Sequence, residues 1–275
     1  MPELPEVETI VRQLKPRAKG KRISDVKIID AKLINLSKTK FFENVCGKII
    51  KNIWRRSKII IWDLSGNKFL VFHLKLNGRI LLAKDTDEVH KYTRAIFDLA
   101  GRYRVYFDDS RRFGWVRYFD KEGFDAFMQK MNFGPEPLER SFTLKIFKER
   151  LAKRSGSKIK VLLMDPKFIS GLGNIYSQEV CFTAGVKPER RVGTLSDQEV
   201  AKIFRAIRSI LRKALSKRGT SSDAVYIDLY GKPGAYTSDL KVYYREGKKC
   251  KRCGKKIKVT KLNGRGTRHC PNCQK

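Results

Sequence analysis

No run of apolar residues in this 275-residue chain approaches the length of about 20 needed to cross a bilayer. Nor does it open on a basic segment followed by an apolar core, so a cytosolic protein without a membrane partner is expected. Cysteine is scarce outside the C-terminus: of six, four fall in the last 26 residues, leaving Cys46 and Cys181 isolated and excluding a disulfide framework. Acidic residues are outnumbered, 28 Asp+Glu against 61 Lys+Arg, and the resulting +33 would repel itself severely unless a polyanion shared the surface. Nucleic acid is the expected partner. The same charge also fits ribosomal, histone-like and membrane-surface proteins, so it defines a class of partner and no chemistry. With 41% hydrophobic and 11% aromatic residues, the chain is no disordered basic tail.

What is present divides the chain. Val7, Ile10, Val11 and Leu14 recur at the spacing of one buried helical face, with Pro5 suited to the first turn and Glu6 and Glu8 favoured by the helix dipole. Ile23–Asp30 alternates, and Lys48–Lys75 holds short runs rich in Ile, Val, Phe and Trp that read as strands. Ser65-Gly66-Asn67 separates Ile59–Leu64 from Phe69–Leu74, and Ala100-Gly101 separates Ala95–Leu99 from Tyr103–Phe107, as hairpin turns do. The pattern changes over Asp120–Ser141, where Gly134-Pro135-Glu136-Pro137 breaks any regular element and an interdomain linker is expected. Helical spacing follows in Thr143–Lys153, Ile175–Phe182 and Val200–Leu215, the last preceded by a Ser196/Glu199 capping box. The boundaries expected are 1–133, mainly β, 134–240, mainly α, and a cysteine-bearing tail at 241–275.

In that tail, Cys250-x-x-Cys253 and Cys270-x-x-Cys273 stand sixteen residues apart, the spacing of four thiolates closing one tetrahedral structural zinc site. Between the pairs, Ile257–Lys261 and Asn263-Gly264-Arg265-Gly266 read as a β-ribbon with arginine at its tip, placed for phosphate or simply solvated. Gly171-Leu172-Gly173-Asn174 precedes an apolar helix, so amides and the Asn174 side chain can meet an anion; glycines there also serve tight turns.

The most chemically loaded stretch is Met1-Pro2-Glu3-Leu4-Pro5-Glu6-Val7-Glu8. Removal of Met1, which the small residue behind it permits, leaves a secondary amine on Pro2 beside the Glu3 carboxyl. Attack of that amine on an aldehyde-like carbon gives a permanently charged iminium, which withdraws electrons from neighbouring C–H and C–O bonds. Helix packing accounts for residues 5 to 14 and leaves Pro2-Glu3 unexplained.

Pro-Glu-Leu-Pro-Glu-Val-Glu resembles the N-terminus of the bacterial formamidopyrimidine-DNA glycosylases, enzymes that excise 8-oxoguanine and ring-opened purines and then cut the strand. The likeness extends along the whole chain. It implies an α+β multidomain fold: an N-terminal β-sandwich with an N-terminal helix, a central helix–two-turn–helix domain carrying a lesion-capping loop, and a C-terminal four-cysteine zinc β-ribbon. It implies one structural Zn(2+), damaged double-stranded DNA as partner, monomeric action, and a place in the bacterial cytosol or nucleoid.

By the same resemblance Pro2 is the nucleophile, Glu3 the acid, Lys58 grips phosphate and assists β-elimination, and Arg265 serves δ-elimination. Asn174 and Lys160 match residues near the lesion. An extruded nucleotide leaves a gap that apolar wedges and a hydrogen-bonding plug must fill. His73-Leu74-Lys75-Leu76-Asn77-Gly78 and Arg111-Arg112-Phe113-Gly114 match the family's fillers: His73 contacts DNA, Arg111 pairs with the orphaned base, and Phe113 wedges or, on strand alternation alone, lies in the core.

Three positions depart from the family pattern. Leu76 stands where methionine is usual, as in the endonuclease VIII branch that prefers oxidised pyrimidines. Tyr92 replaces a frequent histidine, and Arg218-Gly219-Thr220-Ser221-Ser222 resembles the lesion-capping loop with Arg218 in place of a second glycine. The expected activity is a bifunctional glycosylase and AP lyase for oxidised purines. An endonuclease VIII-like preference and a non-catalytic zinc-ribbon DNA binder are the alternatives.

Overall fold

The computed structural model describes residues 1–84, 89–101, 103–221 and 226–275. The chain divides into two units, Met1–Asn132 with Arg218–Ala235, and Phe133–Lys217 with Tyr236–Lys275. The segment 218–235, grouped with 134–240 on sequence grounds, thus packs in the first unit, and the zinc ribbon packs in the second.

The first unit opens with α1 (Leu4–Ala18), which buries Val7, Ile10, Val11 and Leu14 as the helical spacing requires. Two four-stranded antiparallel sheets follow. One has the order β1 (Ile23–Ile28), β6 (Thr93–Leu99), β7 (Tyr103–Asp108), β5 (Arg79–Lys84); the other β2 (Ile50–Arg56), β3 (Ile59–Leu64), β4 (Lys68–His73), β8 (Trp115–Phe119). An aromatic seam joins their inner faces: the Trp62 ring lies 4.8 Å from Phe72 and 5.6 Å from Phe97, and Phe72 lies 6.5 Å from Phe107. These rings, with Val7, Ile10 and Leu14, form one core, so the unit is a β-sandwich with a helix packed on it. A short helix α2 (Lys38–Val45) buries Phe41 and Val45.

The region read as the start of a linker is instead helix α3 (Lys121–Met131), capped by Asp120, whose carboxylate receives the Gly123 N–H. Its Phe124 stacks 4.1 Å from Phe69 and Phe127 stacks 4.9 Å from Phe119, on the second sheet. The Gly134-Pro135 stretch is pinned too: Ser170 Oγ donates to the Gly134 carbonyl at 2.7 Å, and a Cβ on Gly134 would stand 2.6 Å from the Phe168 backbone.

The second unit holds α4 (Leu144–Ala152), α5 (Ile159–Leu163), α6 (Asn174–Ala184) and α7 (Asp197–Ser216), the last with the Ser196/Glu199 box in place. Phe142, Phe147, Phe168 and Phe204 fill its core, with ring centroids 5.5 to 6.0 Å apart. A two-stranded ribbon, β9 (Lys258–Leu262) and β10 (Arg265–His269), closes the chain. Asn263 and Gly264 both have positive φ, 47° and 73°, which a two-residue hairpin of the twisted kind demands. Among the described residues, no helix is long and apolar enough to cross a membrane.

Candidate functional site

Pro2 and Glu3 are buried where α1 begins, Glu3 at 1% exposure. A residue that sequence reading assigned only to the helix dipole organises this end. Glu6, also 1% exposed, accepts the Glu3 N–H on Oε2 at 2.8 Å and the Thr220 N–H on Oε1 at 2.8 Å. One carboxylate therefore ties the first residues of α1 to a loop more than two hundred residues away. Gly219 is required beside it, since its φ is +83° and a Cβ would come within 2.6 Å of Glu6 Oε1.

Arg218 takes the left-handed conformation, φ +59°, that a glycine would hold without strain. Its guanidinium lies 3.7 Å from the buried Asp228. Asp228 accepts from Gln13 of α1 at 3.0 Å, while Gln13 receives the Leu229 N–H at 3.0 Å. Ser221 Oγ receives the Gly234 N–H at 2.8 Å and donates to the Tyr226 carbonyl. Ser222, the last residue of the resembling loop, lies outside the described residues.

Lys58 and Ser57, the latter at φ +54°, form the two-residue turn between β2 and β3. Arg55 braces that turn: it pairs with Glu8 of α1 at 2.9 Å and donates to the Ser57 carbonyl at 2.8 Å. His73, at the end of β4, pairs in register with Ile59, next to Lys58. Its Nδ1 accepts the Lys75 N–H at 2.9 Å. Burial, with Lys75 and Lys58 nearby, depresses its pKa to about 3. The imidazole is thus neutral, with its hydrogen on Nε2.

Leu76 is half-buried in a tight turn where Gly78 donates to the Leu74 carbonyl at 2.8 Å and a Cβ on Gly78 would meet that oxygen at 2.5 Å. Arg111 and Phe113 are exposed, Phe113 at 52%, which removes Phe113 from the core; the Arg111 guanidinium sits 5.1 Å from its ring centroid. Buried Asp109 builds this loop by accepting from the N–H groups of Arg111 at 2.9 Å and Gly114 at 2.7 Å. Tyr92 is exposed and lines a small cavity with Asn77, Arg79 and Ser110.

In the second unit Lys160 and Asn174 meet. The Lys160 ammonium is buried, donating to Asn174 Oδ1 at 2.7 Å and to Thr267 Oγ1 at 2.9 Å. Thr267 in turn donates to the Arg265 carbonyl at 3.1 Å. Arg265 is exposed on β10 and, with Lys160, Met164, Asp165 and Asn263, lines a cavity of about 380 Å³. The inward course of Lys160 is visible only once the ribbon is in place.

The sulfurs of Cys250, Cys253, Cys270 and Cys273 all lie within 4.8 Å of one another, with Sγ separations of 4.0 Å for Cys250–Cys273 and 3.5 Å for Cys253–Cys270. A tetrahedron of thiolates about 2.3 Å from zinc has edges of roughly 3.8 Å, so the four fit one structural ion. Phe182, Val242 and Ile257 pack against them.

Family profiles match in chain order: the formamidopyrimidine-DNA glycosylase N-terminal domain over residues 1–116, the formamidopyrimidine-DNA glycosylase H2TH domain over 133–225, and a zinc finger found in FPG and IleRS over 247–275. Formamidopyrimidine-DNA glycosylases of Carboxydothermus hydrogenoformans and Pelotomaculum thermopropionicum are 41% and 39% identical to the chain over 276 residues, covering all of it and 100% and 99% of themselves. The Lactococcus lactis Fpg bound to abasic-site DNA superposes with a TM-score of 0.92 at 32% identity, over 99% of both chains. The same protein in complex with oxidised-pyrimidine DNA gives 0.91 at 32% identity, again over 99% of both.

Proposed function

The chain belongs to the formamidopyrimidine-DNA glycosylase family, and from that premise we propose that it excises oxidised purines from duplex DNA and then cleaves the abasic strand. Met1 is removed, freeing the Pro2 amine. The Pro2 nitrogen attacks C1′ of an extruded nucleotide, Glu3 protonates the ring oxygen as the deoxyribose opens, and the base leaves with the glycosidic electron pair. The iminium acidifies the C2′ hydrogen. Loss of that proton expels the 3′ phosphate, a second proton loss expels the 5′ phosphate, and hydrolysis returns the amine. Lys58 assists the first elimination and Arg265 the second. Asn174, Lys160, His73 and Tyr92 serve the DNA backbone, while Leu76, Arg111 and Phe113 fill the vacated stack. Arg218–Ser222 closes over the base. Zinc holds the ribbon and takes no part in the chemistry.

The single observation that carries this reading is the Glu6 bridge, which ties the Pro2-Glu3 end to the loop resembling the lesion cap. A pure DNA binder has no need of the Pro2-Glu3 pair at that end. Borohydride should reduce the iminium and join the protein covalently to an abasic or 8-oxoguanine duplex. A Pro2→Gly variant should trap far more slowly; equal trapping by that variant would overturn the assignment.

Leu76 favours a second reading, in which oxidised pyrimidines are also substrates. Supporting it, the Lactococcus lactis relative has been seen with such DNA. Cleavage of 8-oxoguanine opposite cytosine, compared with a thymine glycol duplex, separates the two preferences.

A further inference from the structure

Gln178 sits one turn after Asn174 on α6, on the same face, and is fully buried. Its amide nitrogen donates to the Asn174 carbonyl at 2.7 Å, and its two hydrogens are shared further with Asn174 Oδ1 at 3.1 Å and the Gly266 carbonyl at 3.2 Å. Its amide oxygen receives the Arg268 N–H at 2.6 Å. Gly266 and Arg268 flank Thr267 on β10, so the side chain grips that strand by one C=O and one N–H, as a neighbouring strand would. A two-stranded ribbon is marginal alone. Here one strand is bonded to β9 on one side and to a glutamine on the other.

Asn174 is fixed by the same contact. Its Oδ1 takes donors from both Lys160 and Gln178, so the amide cannot flip without setting donors against donors, and Nδ2, which itself reaches the Gly266 carbonyl at 3.4 Å, keeps a second hydrogen to donate. Gln178 therefore touches both elements, the Asn174 side chain and the strand that begins at Arg265.

We propose that Gln178 is a positioning residue that holds Asn174 and the Arg265 hairpin in one register, and thereby sets phosphate grip and the share of δ- over β-elimination. This rests on the reading that Asn174 binds phosphate and Arg265 serves the second elimination. The four-cysteine cluster has its own packing partners in Phe182, Val242 and Ile257, so loosening Gln178 should leave that site intact.

The test uses the full zinc-loaded chain, with Met1 removed, carrying Gln178→Met, which keeps length and volume and removes every hydrogen bond. Zinc content and borohydride trapping on an abasic duplex should match the parent. The ratio of δ- to β-product should fall about tenfold, and affinity for a duplex bearing a tetrahydrofuran abasic analogue should weaken about tenfold, with a salt slope shallower by about one unit. Hydrogen exchange at the Arg268 amide should accelerate. Gln178→Glu, which keeps the acceptor for Arg268 but sets a carboxylate against the Gly266 carbonyl, should lower the ratio too and serves if the Met variant folds poorly. An unchanged product ratio with unchanged affinity overturns the proposal. So does a parallel loss of trapping, β-product and δ-product, which would mark a merely structural residue. If the parent itself neither traps nor cleaves, the enzymatic reading fails, and the affinity and salt slope still judge Gln178.

Discussion

Glu6 Oε1 and the Thr220 backbone N–H are 2.8 Å apart, and the partner oxygen of that carboxylate holds the Glu3 N–H at 2.8 Å. The start of the chain and the loop resembling the lesion cap thus share one buried anion. Moving either end changes the other by way of two hydrogen bonds to a charged acceptor, the stronger kind.

Replacing Glu6 by Gln turns one acceptor oxygen into a donor facing an N–H. A loss of about 1–3 kcal/mol in unfolding free energy is expected. Excision of 8-oxoguanine should fall at least tenfold, and by more than strand cleavage at a preformed abasic site, which needs no base-covering loop. Single-turnover assays on the two substrates check this; equal losses would count against the bridge as a coupler.

Gly219→Ala should be damaging where Arg218→Gly is tolerated. The alanine Cβ meets Glu6 at 2.6 Å in a backbone of φ +83°, so destabilisation by about 1–3 kcal/mol and impaired excision are expected. In Arg218→Gly, relief of about 1 kcal/mol of left-handed strain offsets glycine's entropy and the half-exposed contact to Asp228 at 3.7 Å. Its melting temperature should stay within a few degrees of the parent. Calorimetry on both variants decides.

Phe113 is 52% exposed, so Phe113→Ala should leave stability within about 0.5 kcal/mol. On the wedge role proposed for this ring, affinity for lesion duplexes should nevertheless drop about tenfold. Denaturant unfolding and gel-shift titration separate the two effects.

His73 supplies a pH signature. Its folded pKa, about 3, lies below the ordinary value near 6.5, so the unfolded chain binds the extra proton first. This contribution to stability is complete above pH 6.5 and erodes as pH falls toward 3, with a limiting slope of about 1.4 kcal/mol per pH unit. His73→Asn keeps an acceptor for the Lys75 N–H and cannot titrate. Urea unfolding between pH 7 and 4.5 should show the shallower slope in that variant.

Features fixed by neighbouring residues were legible in the sequence: the buried face of α1, the Ser65–Asn67 turn, the Ser196 box and the two Cys-x-x-Cys pairs. Helix α3 was not, because Gly123 and its short length weaken the periodic signal and the phenylalanines that define it pack on a sheet assembled elsewhere. Distant partners were equally silent. Nothing around Glu6 announces Thr220, nothing around Lys160 announces Thr267, and nothing in residues 218–235 reveals that they pack with the N-terminal unit.

The return of residues 218–235 to the first unit has a consequence for biosynthesis. A ribosome adding roughly 5–20 residues per second needs on the order of 5–20 s to travel from residue 132 to 235. During that interval the nascent sandwich lacks its last piece and Glu6 lacks the Thr220 amide. Residues 1–8 therefore emerge early and acquire their finished surroundings late, so a nascent chain halted before residue 218 would present Glu6 without one of its two backbone partners.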